Sequence, residues 1–224
     1  IYGFTNCIGL KEINLPGRLT AIGNYAFEGC TGLSNIALPS GLKTIGNYAF
    51  SGCTGFTSLT LPDSVTGIGY RAFYNDTNLS SINYPLSLDS VEGGTYDGNM
   101  FEGCSKLKSL EIPEGVTSIP VNALKGCSYL ETVTLPSTLT NIGNNAFSDC
   151  INLKEIELPE GLTNIGNYAF SGCVKIITID VPDGVTKIGY RAFYNCTSLV
   201  SFGYPVGLTT VEGGTYDGNI VEGC

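Results

Sequence analysis

The sequence predicts a solenoid of stacked repeats, α/β in class but mostly strand, with one short helical or 3-10 turn closing each coil. Three observations carry this. Phe27, Phe50 and Phe73 lie 23 residues apart, and so do Phe101, Leu124, Phe147, Phe170 and Phe193. A strand-like apolar pattern recurs at a fixed offset from each of these positions. A longer period of 120 residues is superimposed: Ile-Gly-Tyr-Arg-Ala-Phe-Tyr-Asn at 68–75 returns at 188–195, and Val-Glu-Gly-Gly-Thr-Tyr-Asp-Gly-Asn at 91–99 returns at 211–219. The step lengthens to 28 residues between Phe73 and Phe101 and between Phe193 and Val221. One domain over residues 1–224 is expected, built as a duplicated five-repeat block. Repetition at such periods signals a solenoid, because one short unit cannot bury its apolar side without neighbours.

Residues 33–53 show the elements in order. Leu33, Ile36 and Leu38 are apolar, and the last two alternate as strand residues do. Equivalent strands are expected to begin at Leu10, Phe56, Leu79, Leu107, Leu130, Leu153, Ile176 and Leu199. Pro39 ends the strand, since proline cannot donate to a continuing ladder. Leu42 and Ile45 turn a second apolar edge inward, and Gly46 is read as permitting a bend. Ala49 and Phe50 then close the coil through the helical or 3-10 turn.

The pattern Leu-x-x-Ile-x-Leu-Pro, then Leu-x-x-Ile-Gly-x-x-Ala-Phe-x-x-Cys, resembles the BspA-like, or Treponema-type, leucine-rich-repeat family over essentially the whole chain. The resemblance implies a right-handed arc with parallel strands on its concave side. It also implies a secreted or cell-surface protein of bacteria or protists, of the kind that adheres to host or microbial proteins. Three positions depart from the pattern: Asp76 stands for cysteine, Leu124 for phenylalanine and Pro120 for the bend glycine.

Composition narrows the function further. The chain has 224 residues, 42% of them hydrophobic, and no histidine, the side chain most used for acid–base work and metal binding near neutral pH. A net charge of −9 with 11 Lys and Arg argues against nucleic acid as partner. No apolar run approaches the ~20 residues of a membrane helix, so no membrane insertion is expected. The first residues show no basic region followed by an apolar stretch, and no leader is expected within the sequence. The chain starts midway through a repeat and shows no polar cap at either end, which reads as a segment of a longer array or as ends that self-associate.

Nine cysteines raise disulfide and metal chemistry. Each lies three residues after the phenylalanine column, which places them in one file, one per coil. A file cannot converge four ligands on a zinc ion. Coils spaced about 4.8 Å apart hold Cβ atoms slightly beyond the ~3.8 Å that disulfides prefer. Buried free thiols are expected, with strained vertical disulfides as the alternative. A cysteine nucleophile would lack its usual histidine base, so no enzyme, cofactor or metal is expected. Glu92, Asp97 and Asn99, with Glu212, Asp217 and Asn219, offer oxygen ligands for calcium, but their spacing matches no known loop and an ordinary turn is the default.

Two surfaces are candidates for a partner. One is the outward face of the strands, hydroxyl-rich in the first block and acidic in the second, where Glu111, Glu131, Thr134, Glu155, Glu157 and Asp180 lie. Such a stripe favours basic partner segments. The other is an aromatic edge carrying Tyr48, Tyr70, Arg71, Tyr168, Tyr190 and Arg191, with cation–π steps expected from Tyr48 to Arg71 and from Tyr168 to Arg191. Polar filler and repeat stacking explain the same residues without a ligand. The leading function is a protein-binding adhesion module. The alternative is a spacer, or a fibre segment assembling end to end.

Overall fold

The structure is a computed structural model and describes residues 3–91, 100–211 and 221–224. The chain divides into two compact units, Ile1–Leu110 and Glu111–Cys224. In the first unit the strands are β1 (Glu12–Asn14), β2 (Ala21–Ile22), β3 (Asn35–Ala37), β4 (Thr44–Ile45), β5 (Ser58–Leu59), β6 (Gly67–Ile68), β7 (Ser81–Ile82) and β8 (Ser90–Val91). β9 (Ser109–Glu111) spans the boundary. The second unit holds β10 (Ser118–Ile119), β11 (Thr132–Thr134), β12 (Asn141–Ile142), β13 (Asn164–Ile165), β14 (Thr178–Asp180), β15 (Lys187–Ile188), β16 (Ser201–Gly203) and β17 (Thr210–Val211).

Every coil but the one beginning at Leu153 therefore contributes two strands where the apolar pattern suggested one. The expected strand is present, starting two residues late: Leu33 is still held in the preceding turn by its N–H to the Cys30 carbonyl at 3.0 Å. β1 pairs with β3, β5 with β7, and β14 with β16. At Leu153 this ladder thins to a single bridge between Thr132 and Glu155. The second apolar edge is itself a strand and the more continuous ladder. β2, β4, β6 and β8 form a four-stranded parallel sheet, and β10, β12, β13, β15 and β17 a five-stranded one.

Register is 23 residues, one repeat, in these strand pairings. Ile22 faces Ile45, Ile45 faces Ile68 and Ile68 faces Val91, while Ile142 faces Ile165 and Ile165 faces Ile188. The pleat sends one residue of each pair inward, so every 23-residue column becomes a row. Phe27, Phe50 and Phe73 stack with Phe4 and Phe101 at centroid distances of 5.3 to 5.7 Å. Phe147, Phe170 and Phe193 repeat the stack in the second unit at 5.1 Å. Offset aromatic pairs at such spacing add about 0.5–1.5 kcal/mol each beyond burial.

The helical turn expected around Ala49 and Phe50 is not formed, and the described residues contain no helix of any kind. The class is a parallel β-solenoid with turns, not α/β. Two features of the backbone explain the difference. Tyr25, Tyr48, Arg71, Asn122, Asn145, Tyr168 and Arg191 all take positive φ between 51° and 61°, which breaks a right-handed run at the same point in these seven coils. Alternate N–H groups then leave their own coil: Tyr25, Phe27 and Gly29 donate to the carbonyls of Asn47, Ala49 and Ser51 at 2.8 Å. Those inter-coil bonds offset left-handed strain of ~1–3 kcal/mol per residue.

Gly46 is also present for a different reason from the bend. A Cβ there would lie 2.6 Å from the Asn24 nitrogen, and at Gly166 2.6 Å from that of Asn144. Neither glycine has positive φ. The column is glycine because the preceding coil's backbone occupies the space a side chain needs.

The inward rows lead to a stability prediction. Phe147 is fully buried, so Phe147→Ala is expected to cost about 3–5 kcal/mol. Tyr168→Ala, on the half-buried edge, is expected to cost less than half as much. Equilibrium urea denaturation of both variants checks this, and equal losses would refute the inward and outward assignments.

Candidate functional site

The outward row of the first ladder in the second unit gathers most of the sequence-predicted acidic residues. Glu111, Thr134, Glu157 and Asp180 occupy one column, one repeat apart, and all four are exposed. Glu155, bridged to Thr132, lies beside it. A depression of about 440 Å³ opens among Glu157, Glu160, Thr178, Asp180 and Asp183. A second, of about 280 Å³, lies between Thr132, Thr134, Glu155 and Glu157. Glu131 stands apart from this group because it is half-buried and ion-paired with Lys154 at 2.6 Å. Sequence reasoning missed Glu160 and Asp183, whose column follows the strand-ending proline. It also missed the exposed Ile177 and Val200, although both stand in a column filled elsewhere by polar residues.

The aromatic edge is built differently from the expected Tyr48–Arg71 and Tyr168–Arg191 steps. Arg71 lies over the rings of its own coil, 5.1 Å from the Tyr70 centroid and 4.6 Å from that of Tyr74. Arg191 repeats this over Tyr190 and Tyr194 at 5.1 and 4.7 Å. The reason is an acid from the next coil. Arg71 is ion-paired with Glu102 at 2.7 Å, and Arg191 with Glu222 at 2.7 Å, which draws each guanidinium across the flanking tyrosines. Tyr48 instead meets Tyr70 edge-on at 5.3 Å, as Tyr168 meets Tyr190 at 5.4 Å. Both charges of each cluster are thus satisfied internally, and the partner glutamates lay outside the motif the sequence singled out.

All nine cysteines are free; seven are buried, while Cys7 and Cys224 are exposed. The file has a hydrogen-bonding logic that spacing did not reveal. The thiols of Cys30, Cys53, Cys150, Cys173 and Cys196 donate to the carbonyls of Phe4, Phe27, Leu124, Phe147 and Phe170 in the preceding coil, at 3.0 to 3.3 Å. Burial raises their pKa values, pushing Cys196 up to about 12 and Cys150 and Cys173 well above the ordinary thiol range. Nucleophilic cysteines need the opposite shift. No group of three acidic, cysteine or histidine side chains suited to a metal ion occurs among the described residues. The oxygen ligands considered for calcium (Glu92, Asp97, Asn99, Glu212, Asp217 and Asn219) lie outside the described residues.

Asp76 replaces a thiol in this file and is fully buried. Its Oδ1 accepts the Cys53 N–H at 2.7 Å, while Oδ2 has no partner. Burial raises the carboxyl pKa well above its usual value. The native state therefore binds a proton more tightly than the unfolded chain. Stability contributed by the protonated acid is full below the unfolded pKa of about 3.9 and declines as pH rises through the folded value.

Two outcomes follow. Ellman's reagent at neutral pH is expected to titrate Cys7 and Cys224 in the native chain and all nine thiols after denaturation; a denatured count near one would establish disulfides. Asp76→Cys is expected to raise stability at pH 7 by about 1–3 kcal/mol, the usual cost of an unsatisfied buried polar group. The gain should shrink toward pH 4 in parallel thermal melts. A constant difference across that range would remove the titrating carboxyl from the explanation.

Comparison with known proteins agrees with this architecture. A family model for the BspA-type leucine-rich-repeat region matches six copies over residues 1–99 and 94–220. A leucine-rich-repeat protein of Bacteroides ovatus is similar at 28% identity and TM-score 0.55, over 100% of this chain and 73% of that one. A leucine-rich cell-surface protein of Faecalibacterium prausnitzii shows 27% identity and TM-score 0.52, over 99% of this chain and 65% of that one. The leucine-rich-repeat protein of Treponema pallidum shows 26% identity and TM-score 0.51, over 84% and 78%. A search of curated proteins found no significant match. With the paired ladders, the phenylalanine stack and the matched repeats in agreement, the chain belongs to the BspA-type leucine-rich-repeat family.

Proposed function

We propose that the chain is a non-catalytic recognition module, displayed outside the cell, that adheres to host or microbial proteins through the outward face of the first ladder. The observation that carries this reading is the contrast between the two 120-residue copies. Most inward residues agree: Leu33, Ile36, Ile45, Phe50 and Cys53 are matched by Leu153, Ile156, Ile165, Phe170 and Cys173. Outward residues differ: Asn35, Ala37, Thr57, Thr60 and Ser80 are answered by Glu155, Glu157, Ile177, Asp180 and Val200. A shared core with a rewritten face is what a scaffold for binding needs.

Other features support the same conclusion. The repeat family generally serves protein interaction, and the Faecalibacterium relative is itself a cell-surface protein. The buried thiols have raised pKa values and the sequence contains no histidine, which supports a role without catalysis. A second reading, a spacer within a longer surface protein, is favoured by the internally satisfied Arg71–Glu102 and Arg191–Glu222 clusters.

Surface plasmon resonance of the chain against a panel of matrix and bacterial surface proteins separates the two. A recognition module is expected to show saturable binding that weakens at least tenfold when Glu157 and Asp180 are both changed to lysine. Absence of saturable binding across the panel would favour the spacer.

A further inference from the structure

The copies differ in chemistry at Ile177 and Val200. These side chains are 55% and 79% exposed, on adjacent coils, and the Val200 N–H bonds to the Ile177 carbonyl at 2.8 Å. β14 and β16 run beside them in register, Thr178 facing Ser201. In the first unit the equivalent residues are Thr57 and Ser80, also exposed. A solvent-facing sheet row has no folding need for branched apolar residues, since its copy does without them. Two branched apolar side chains left open side by side, at the start of paired strands, form a contiguous patch available for contact.

The pair does not stand alone. Asp180 lies three residues along the chain from Ile177, about 10 Å at the strand rise. Glu155 and Glu157 occupy the neighbouring coil, and all three carboxylates are exposed. Lys154, the cation nearest them in sequence, is committed to Glu131. The face therefore presents an apolar end and a negative end, with the depression among Glu157, Thr178 and Asp180 between the two coils.

We infer that this face takes a cationic, amphipathic segment of another protein. Its apolar side chains pack on Ile177 and Val200, and its lysines or arginines reach Glu155, Glu157 and Asp180. The inference rests on the recognition reading above and adds to it the chemistry of the partner. Charge complementarity selects the sign of that partner, and the apolar pair separates it from a merely basic chain.

The test uses the whole chain and three short peptides: one alternating lysine with leucine, one alternating lysine with serine, and one alternating glutamate with leucine. Isothermal titration calorimetry at low and high salt is the readout. The lysine–leucine peptide is expected to bind saturably and more tightly than the other two. Ile177→Thr with Val200→Ser installs the first unit's own residues, so the fold is kept. That variant should weaken binding about tenfold while leaving its salt dependence intact. Glu155→Gln, Glu157→Gln and Asp180→Asn together should remove most of the salt dependence.

Equal binding of the lysine–serine peptide, or no effect of the Ile177 and Val200 changes, would overturn the inference. So would equal binding of the glutamate–leucine peptide. Saturable binding to a protein of the larger panel with no response to any peptide would sink this inference and leave the recognition reading standing. Failure of both would sink the two together.

Discussion

Everything in this protein depends on how closely one coil lies on the next. The glycine column sets that approach: with Gly46 over the Asn24 backbone and Gly166 over that of Asn144, no side chain separates the coils at this point. Once the spacing is fixed, alternate N–H groups of the turn reach carbonyls one repeat away, and the second ladder pairs isoleucine with isoleucine. The left-handed tyrosines and arginines are tolerated for the same reason. Their strain is local, whereas the bonds it aims are repeated at every coil.

Close registry also explains why identical residues recur. A phenylalanine is best stacked on a phenylalanine held at about 5 Å, and the observed rows sit at 5.1 to 5.7 Å. A thiol is small enough for the turn's interior and still donates to the carbonyl one coil back. That role favours cysteine over alanine, which would leave the carbonyl without this donor. The same dry setting that suits a weak donor raises the thiol pKa, so the column that looks most reactive in sequence is chemically quiet in the fold.

The period, the strand beginning near Leu33 and the inward phenylalanines were legible because each is a repetition that burial enforces. The absent helix was not. Ala-Phe at 49–50 is compatible with a helical turn, and only the left-handed Tyr48 with its bond to the Tyr70 carbonyl shows that the chain turns otherwise. The second ladder escaped notice because two-residue strands such as Thr44–Ile45 are too short to display alternation. That Glu111, Thr134, Glu157 and Asp180 share one column was readable from their 23-residue spacing. Glu102 was not linked to Arg71, since their pairing crosses a coil lengthened by five residues, and pairing offsets of 23 do not reveal it.

The two kinds of column carry change at very different cost. On the outward row, Thr57 and Ser80 of one copy are answered by Ile177 and Val200 of the other, yet β5–β7 and β14–β16 both pair in parallel at one repeat. Backbone bonds hold those strands, so the side chain is free to vary. On an inward row a single exchange of thiol for carboxyl at Asp76 leaves an oxygen buried without a partner and a raised pKa. Chemistry can therefore vary on the ladder's face one residue at a time, while an interior change such as Asp76 carries a cost in burial. This asymmetry is why the difference between the copies is informative: it lies where the fold exerts least control, and an apolar pair next to carboxylates there is not explained by packing.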